Sequence, residues 1–182
     1  MKIGIDLDWT LADHFGYWGK MFAGVGRTTI MWLVDYGHPF FRELVHKLWY
    51  VHTPFLTDRA WVDVVRQLRD RHRVYVVTNR EEHERPPIEK WLRANNIYVD
   101  GVICVGVDGD KGEVGLDVLV DDTLSKCYDV QKRGGHAYWW LRGLVERKTL
   151  SQNIVASIAP IKPVFSAWEF YEDVSFWGDN NP

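Results

Sequence analysis

Lys2-Ile3-Gly4-Ile5-Asp6-Leu7-Asp8-Trp9-Thr10-Leu11-Ala12-Asp13 is an apolar run that breaks off in acids. Ile3 and Ile5, with Leu7 between the acids, predict a short strand buried in a parallel sheet, with Asp6 and Asp8 at its C-terminal edge. In open α/β sheets that edge is where ligands bind. Carboxylates two residues apart leave an extended chain on the same side, and holding both charges together is costly without a cation or a shared proton. A divalent cation is the simplest answer. A bare D-x-D also fits a solvated strand-to-loop junction, so segments elsewhere must decide.

Three of them do. Val74-Tyr75-Val76-Val77-Thr78-Asn79-Arg80 is a second buried strand, ending in a hydroxyl and an amide. Lys90 follows on a helix that opens at Pro86-Pro87, and Val118-Leu119-Val120-Asp121-Asp122 is a strand ending in paired acids. Acid pair, hydroxyl, lysine and acid pair, in that order and each beside a strand end, resemble the four motifs of the haloacid dehalogenase-like (HAD) phosphatase superfamily. The resemblance covers roughly residues 1–140. It implies an α/β fold: a Rossmann-like parallel sheet with helices on both faces, and a small helical cap inserted after the first strand.

The domain division expected from this is a catalytic core of residues 1–13 and 54–182 and a cap of residues 14–53. The cap segment is rich in aromatics, among them Phe15, Tyr17, Trp18, Phe22, Trp32 and Tyr36, and is broken at Gly24-Val25-Gly26 and Gly37-His38-Pro39. A plain helical hairpin that packs those rings into the core is the competing reading. Gly24-Val25-Gly26-Arg27-Thr28-Thr29 lacks the lysine of a phosphate loop and follows no strand. The loop from Asp108 to Glu113 lacks the glycine and the spaced acids of a calcium loop.

The rest of the chain agrees with a single α/β unit. Its 182 residues are enough for a substantial core. A net charge of −3 argues against a general nucleic-acid binder, so no stable nucleic-acid complex is expected. Cys104 and Cys127 read as separate, reduced, packed thiols. No apolar run reaches membrane-spanning length, and the N-terminus enters a strand carrying acids, so no membrane contact and a cytoplasmic location are expected. Helical spacing of Trp61, Val64, Val65 and Leu68 predicts a helix over 58–71, His136 to Trp140 reads as an edge strand, and Ala167 to Val174 as a terminal helix with Trp168 and Phe170 or Tyr171 packed inward. Oligomeric state is open.

The resemblance also implies roles. Asp6 is the expected nucleophile and Asp8 the expected proton donor and acceptor; Thr78, Asn79 and Lys90 are the expected phosphate-binding groups. Magnesium is the expected cofactor, held by Asp6, the backbone carbonyl of Asp8, and Asp121, because hard oxygen ligands that retain waters suit it better than zinc. Asp122 either supports it through a water or caps the next helix. Lys111, in Gly109-Asp110-Lys111-Gly112, competes with Lys90. Lys90 is preferred here because Ile88-Glu89-Lys90-Trp91-Leu92 resembles the lysine-bearing helix of the 5′(3′)-deoxyribonucleotidases. That group also shares the D-x-D-x-T-L-A-D start and the closing L-V-D-D, which makes a deoxynucleoside monophosphate the expected substrate. Trp9, where the group has a small residue, and His14, where it has an aromatic, depart from its pattern. Another small phosphate ester, a polynucleotide end, or an idle binding module are the alternatives.

Overall fold

A computed structural model of the chain describes residues 1–13, 55–141 and 160–180. The proposed cap, residues 14–53, and residues 142–159 of the tail lie outside the described residues. The opening run forms β1 (Lys2–Ile5), followed by the two-residue strands β2 (Ala12–Asp13) and β3 (Phe55–Leu56). Then come α1 (Trp61–Arg69), β4 (Arg73–Thr78), α2 (Arg85–Ala94), β5 (Gly101–Cys104) and β6 (Val118–Asp121). The series closes with α3 (Leu124–Lys132), β7 (His136–Trp140), β8 (Lys162–Val164) and α4 (Ala167–Asn180).

Six strands make one parallel sheet in the order β5-β4-β1-β6-β7-β8. β1 is central, paired with β4 through Ile5↔Val76 and with β6 through Ile5↔Val120. Because the chain builds outward from β1 through β4 to β5 and then crosses back to β6, the C-terminal ends of β4, β1 and β6 lie side by side where the winding reverses. Such a reversal opens a crevice for ligands.

Side-chain alternation assigns the two faces. Ile3, Ile5, Val74, Val76, Val118, Val120 and Trp140 turn to the face covered by α1, α2 and α4, where Trp61 meets Trp140 and Phe170 at ring separations of 5.1 and 5.8 Å. Val77 and Leu119 turn to the other face and pack against Val130 of α3. Helices on both faces explain why the strands are apolar almost throughout. Among the described residues no helix is long and apolar enough to cross a membrane.

Two expectations about the C-terminal part need correction. β7 is not an edge strand: β8 pairs outside it through Trp139↔Pro163, and the missing N–H of a proline is tolerated at an edge. Trp168 is 39% exposed, while Phe170 and Val174, four residues apart, form the buried stripe of α4.

Between β1 and β2 the chain turns tightly. The Leu11 and Ala12 N–H groups both donate to the Leu7 carbonyl, and Trp9 N–H donates to the Ala12 carbonyl at 2.9 Å. Closing this loop puts Trp9 at a φ of 66°, a left-handed conformation in which a Cβ crowds the backbone. Trp9→Gly is therefore expected to be more stable than Trp9→Ala by about 1 kcal/mol, since both lose the same indole and only glycine is unstrained there. Urea unfolding of the two variants measures the difference, and equal midpoints would show that the turn stores no strain. From this loop the chain departs at Asp13 and returns at Phe55, the two residues facing each other across the antiparallel β2–β3 pair.

Candidate active site

Asp6 lies one residue past β1, and its N–H extends the ladder by donating to the Val120 carbonyl at 2.9 Å. Its side chain is thereby set beside that of Asp121, the last residue of β6, and both are buried. The ammonium of Lys111 joins them. It donates to Asp6 Oδ1 and, at 2.7 Å, to Asp121 Oδ2. The other oxygen of Asp121 accepts the Thr123 N–H at 2.8 Å, which fixes the carboxylate at the entry to α3.

Lys111 is only 2% exposed, and the loop that delivers it is firmly held. It opens a single 3-10 turn, Lys111–Val114, whose preceding Asp110 accepts the Gly112 N–H at 2.7 Å and pairs with Arg133, just past the end of α3, at 2.8 Å. Gly112 presses against α3, where a Cβ would stand 2.5 Å from the Asp129 carbonyl oxygen. The Asn79 amide braces the same loop by donating to the Gly106 and Gly109 carbonyls, each at 2.9 Å.

Charge in this pocket is unbalanced. Oxygens of Asp6, Asp121 and Asp122 lie within 4.8 Å of one another, and Lys111 contacts two of the three. Burial pushes the Asp6 carboxyl up to about 8; Lys111 opposes that shift, while Asp121 and Asp8 add to it. Asp122 is also raised, by burial first and then by Asp6 and Asp121. Burial alone would lower Lys111, but Asp121 and Asp6 more than offset it, so its ammonium stays charged. Ionised together, three carboxylates against one ammonium would leave an excess of two negative charges, and a divalent cation with a preference for oxygen is the complement that this donor set fits.

The sequence matches no protein-family model and no curated protein. Solved structures do match over nearly the whole chain. A haloacid dehalogenase-like hydrolase of Burkholderia xenovorans superposes with a TM-score of 0.62 at 15% identity, covering 97% of each chain. The chain has the HAD fold. A HAD hydrolase of Bacillus subtilis bound to magnesium gives a TM-score of 0.58 at 14% identity, over 96% of this chain and 98% of that one. One from Deinococcus radiodurans with bound phosphate and sodium gives 0.58 at 13%, over 97% and 96%. At such identities the likeness is one of fold, and the chemistry must be argued from the residues.

Within the HAD fold the sequence-expected residues divide clearly. Asp6, Asp121 and Asp122 come together. Thr78 ends the adjacent strand β4, buried, with its hydroxyl oxygen accepting the Arg80 N–H at 3.3 Å and its proton left to donate. Asn79 points its amide into the loop of Gly106 and Gly109, where it acts as a brace. Asp8 is held by Arg80, through contacts at 2.8 and 2.9 Å.

Lys90 is not in the cluster. It lies exposed on α2, and helical geometry gives the reason: Ile88, Trp91 and Leu92 share the buried face, and a residue at 90 falls roughly opposite them at about 100° per residue. The lysine at the carboxylates is Lys111. The signal that points to it in the sequence is its setting, flanked by Gly109 and Gly112 just before the strand that ends in Asp121, because a lysine there is carried on a backbone that can approach the sheet edge.

Proposed function

We propose that this chain is a magnesium-dependent phosphomonoester hydrolase that works through an aspartyl-phosphate on Asp6, and that its substrates are (deoxy)nucleoside monophosphates. The observation that carries this reading is the Lys111 ammonium joining Asp6 and Asp121 across the ends of adjacent parallel strands. A nucleophilic carboxylate beside a fixed cation and further acids suits attack on an anionic phosphate. Magnesium, held by Asp6, Asp121 and the backbone carbonyl of Asp8 with Asp122 in support, would supply electrostatic screening of the phosphoryl oxygens.

The chain's own residues then account for the steps. A carboxylate oxygen of Asp6 attacks phosphorus while the bond to the ester oxygen breaks, and Asp8 donates a proton so that this oxygen leaves as a hydroxyl. Water next attacks the phosphorus of the aspartyl-phosphate, Asp8 takes back a proton, and the Asp6 carboxylate is released with inorganic phosphate. Lys111 and the Thr78 hydroxyl stabilise charge on the non-reacting phosphoryl oxygens. The HAD-fold neighbours bound to magnesium and to phosphate support the assignment.

Substrate choice is assigned to the proposed cap, residues 14–53, which follow in the sequence just after the loop that carries Asp8. A cap inserted after the first strand would contact the part of the substrate that is not phosphate. Phosphate release from a panel of nucleoside monophosphates and sugar phosphates, with and without magnesium, tests the reading. Magnesium-dependent turnover favouring deoxynucleotides is expected. Equal rates on the sugar phosphates would remove the nucleotide assignment, and no release from any ester would turn the reading to a binding module.

A further inference from the structure

The turn after β4 carries a second buried cation. Arg80 is 7% exposed, and its guanidinium is pinned at every corner: Nε donates to Asp8 Oδ2 at 2.9 Å, Nη2 to Asp8 Oδ1 at 2.8 Å, and Nη1 to Glu84 Oε1 at 2.9 Å. Glu84, 2% exposed, is fixed in turn, since its second oxygen accepts the Glu81 N–H at 2.9 Å. The Arg80 main chain is tied as well, its N–H to the Thr78 hydroxyl and its carbonyl to the Gly106 N–H. The two cations of the site thus divide its acids. Lys111 takes Asp6 and Asp121, and Arg80 takes Asp8.

We propose that Arg80 is the positioning residue for Asp8: its planar fork, locked by Glu84, fixes the rotamer and plane of the carboxylate that exchanges a proton with the leaving oxygen. This rests on the phosphohydrolase reading, in which Asp8 is the proton donor. Asp8 sits on the tight loop beside Trp9, partly exposed, and an aspartate side chain there has several staggered wells open to it. A bidentate guanidinium selects one. As the bond from phosphorus to the leaving oxygen breaks, its electron pair stays on that oxygen and binds the proton from Asp8, while the phosphoryl group rests on Asp6. A lysine offers a point charge and cannot set the plane.

The test uses Arg80→Lys, Asp8→Asn and the double variant with magnesium, on thymidine 5′-monophosphate and on p-nitrophenyl phosphate, whose leaving group needs no proton. Arg80→Lys is expected to lower kcat for the nucleotide by about 30-fold with KM little changed, within the range that a misplaced general acid forfeits. The first-turnover burst of nitrophenolate is expected to stay within about threefold of wild type, and Arg80→Lys is expected to add nothing to Asp8→Asn. Equal losses on both substrates, or losses that multiply with Asp8→Asn, would overturn the proposal. Should Arg80→Lys fail to fold, Glu84→Gln, which removes the charge that braces one corner of the fork, is expected to give a smaller loss with the same selectivity for the nucleotide, and a uniform loss overturns the proposal equally. Wild-type protein inactive on both esters would instead remove the phosphohydrolase reading, and the inference with it.

Discussion

Lys111→Met is expected to reduce turnover by about 100- to 1,000-fold, the effect of deleting one fixed donor to developing phosphoryl charge, whereas Lys90→Met should leave it within about twofold. The contrast follows from where the two ammonium groups sit. Lys90 is exposed on α2, while Lys111 is buried against Asp6 and Asp121. Methionine keeps most of the stem but leaves those carboxylates without their cation, and breaking a buried pair in this way costs about 3–5 kcal/mol. The variant should therefore unfold at a lower temperature than wild type in the absence of metal. Magnesium should recover part of that stability, because a divalent cation can neutralise the same acids, yet it should not recover turnover. Thermal unfolding with and without magnesium, beside kcat/KM, separates the two effects. Wild-type rates for Lys111→Met together with a large loss for Lys90→Met would show that the carboxylate cluster is not the reacting centre.

The sequence was legible where local pattern and burial coincide. The runs Lys2–Ile5, Arg73–Thr78 and Val118–Asp121 are apolar because helices cover both faces of the sheet, and each ends in a polar residue because the crevice begins there. Strand placement followed, and with it the meeting of Asp6 with Asp121. What the pattern could not supply was the reach of side chains carried on loops. Lys111 arrives on a turn held by Asp110, Arg133 and Asn79, contacts that span up to thirty residues of sequence and leave no periodic trace. Arg80 was visible next to Thr78 and Asn79, but its partner Asp8 is 72 residues away. β8 is not legible in the sequence because three residues with a proline carry too little alternation to read as a strand.

Asp6→Asn is expected to abolish turnover and at the same time to make the metal-free protein more stable at pH 8. The amide is a poor nucleophile and a weaker metal ligand, which accounts for the first effect. The second comes from the excess of negative charge. In the unfolded chain an aspartate titrates near about 3.9, but burial, with Asp121 and Asp8 adding and Lys111 opposing, pushes folded Asp6 up to about 8. Between those values the folded state holds a proton that the unfolded state has released, so the stability of the metal-free wild type falls as pH rises from about 4 to about 8. Asparagine carries no such charge and flattens that part of the profile. Magnesium reverses the order: at about 100 times its Kd it should stabilise wild type by about 2.7 kcal/mol, or about 5–10 °C for a chain of this size, and Asp6→Asn by much less. Thermal unfolding of both proteins at pH 5 and pH 8, with chelator and with magnesium, reads all of this at once. If the metal-free wild type were as stable at pH 8 as at pH 5, or if magnesium raised both proteins equally, Asp6 would not belong to a charge-loaded metal pocket, and its place as the phosphoryl acceptor would lose its electrostatic basis.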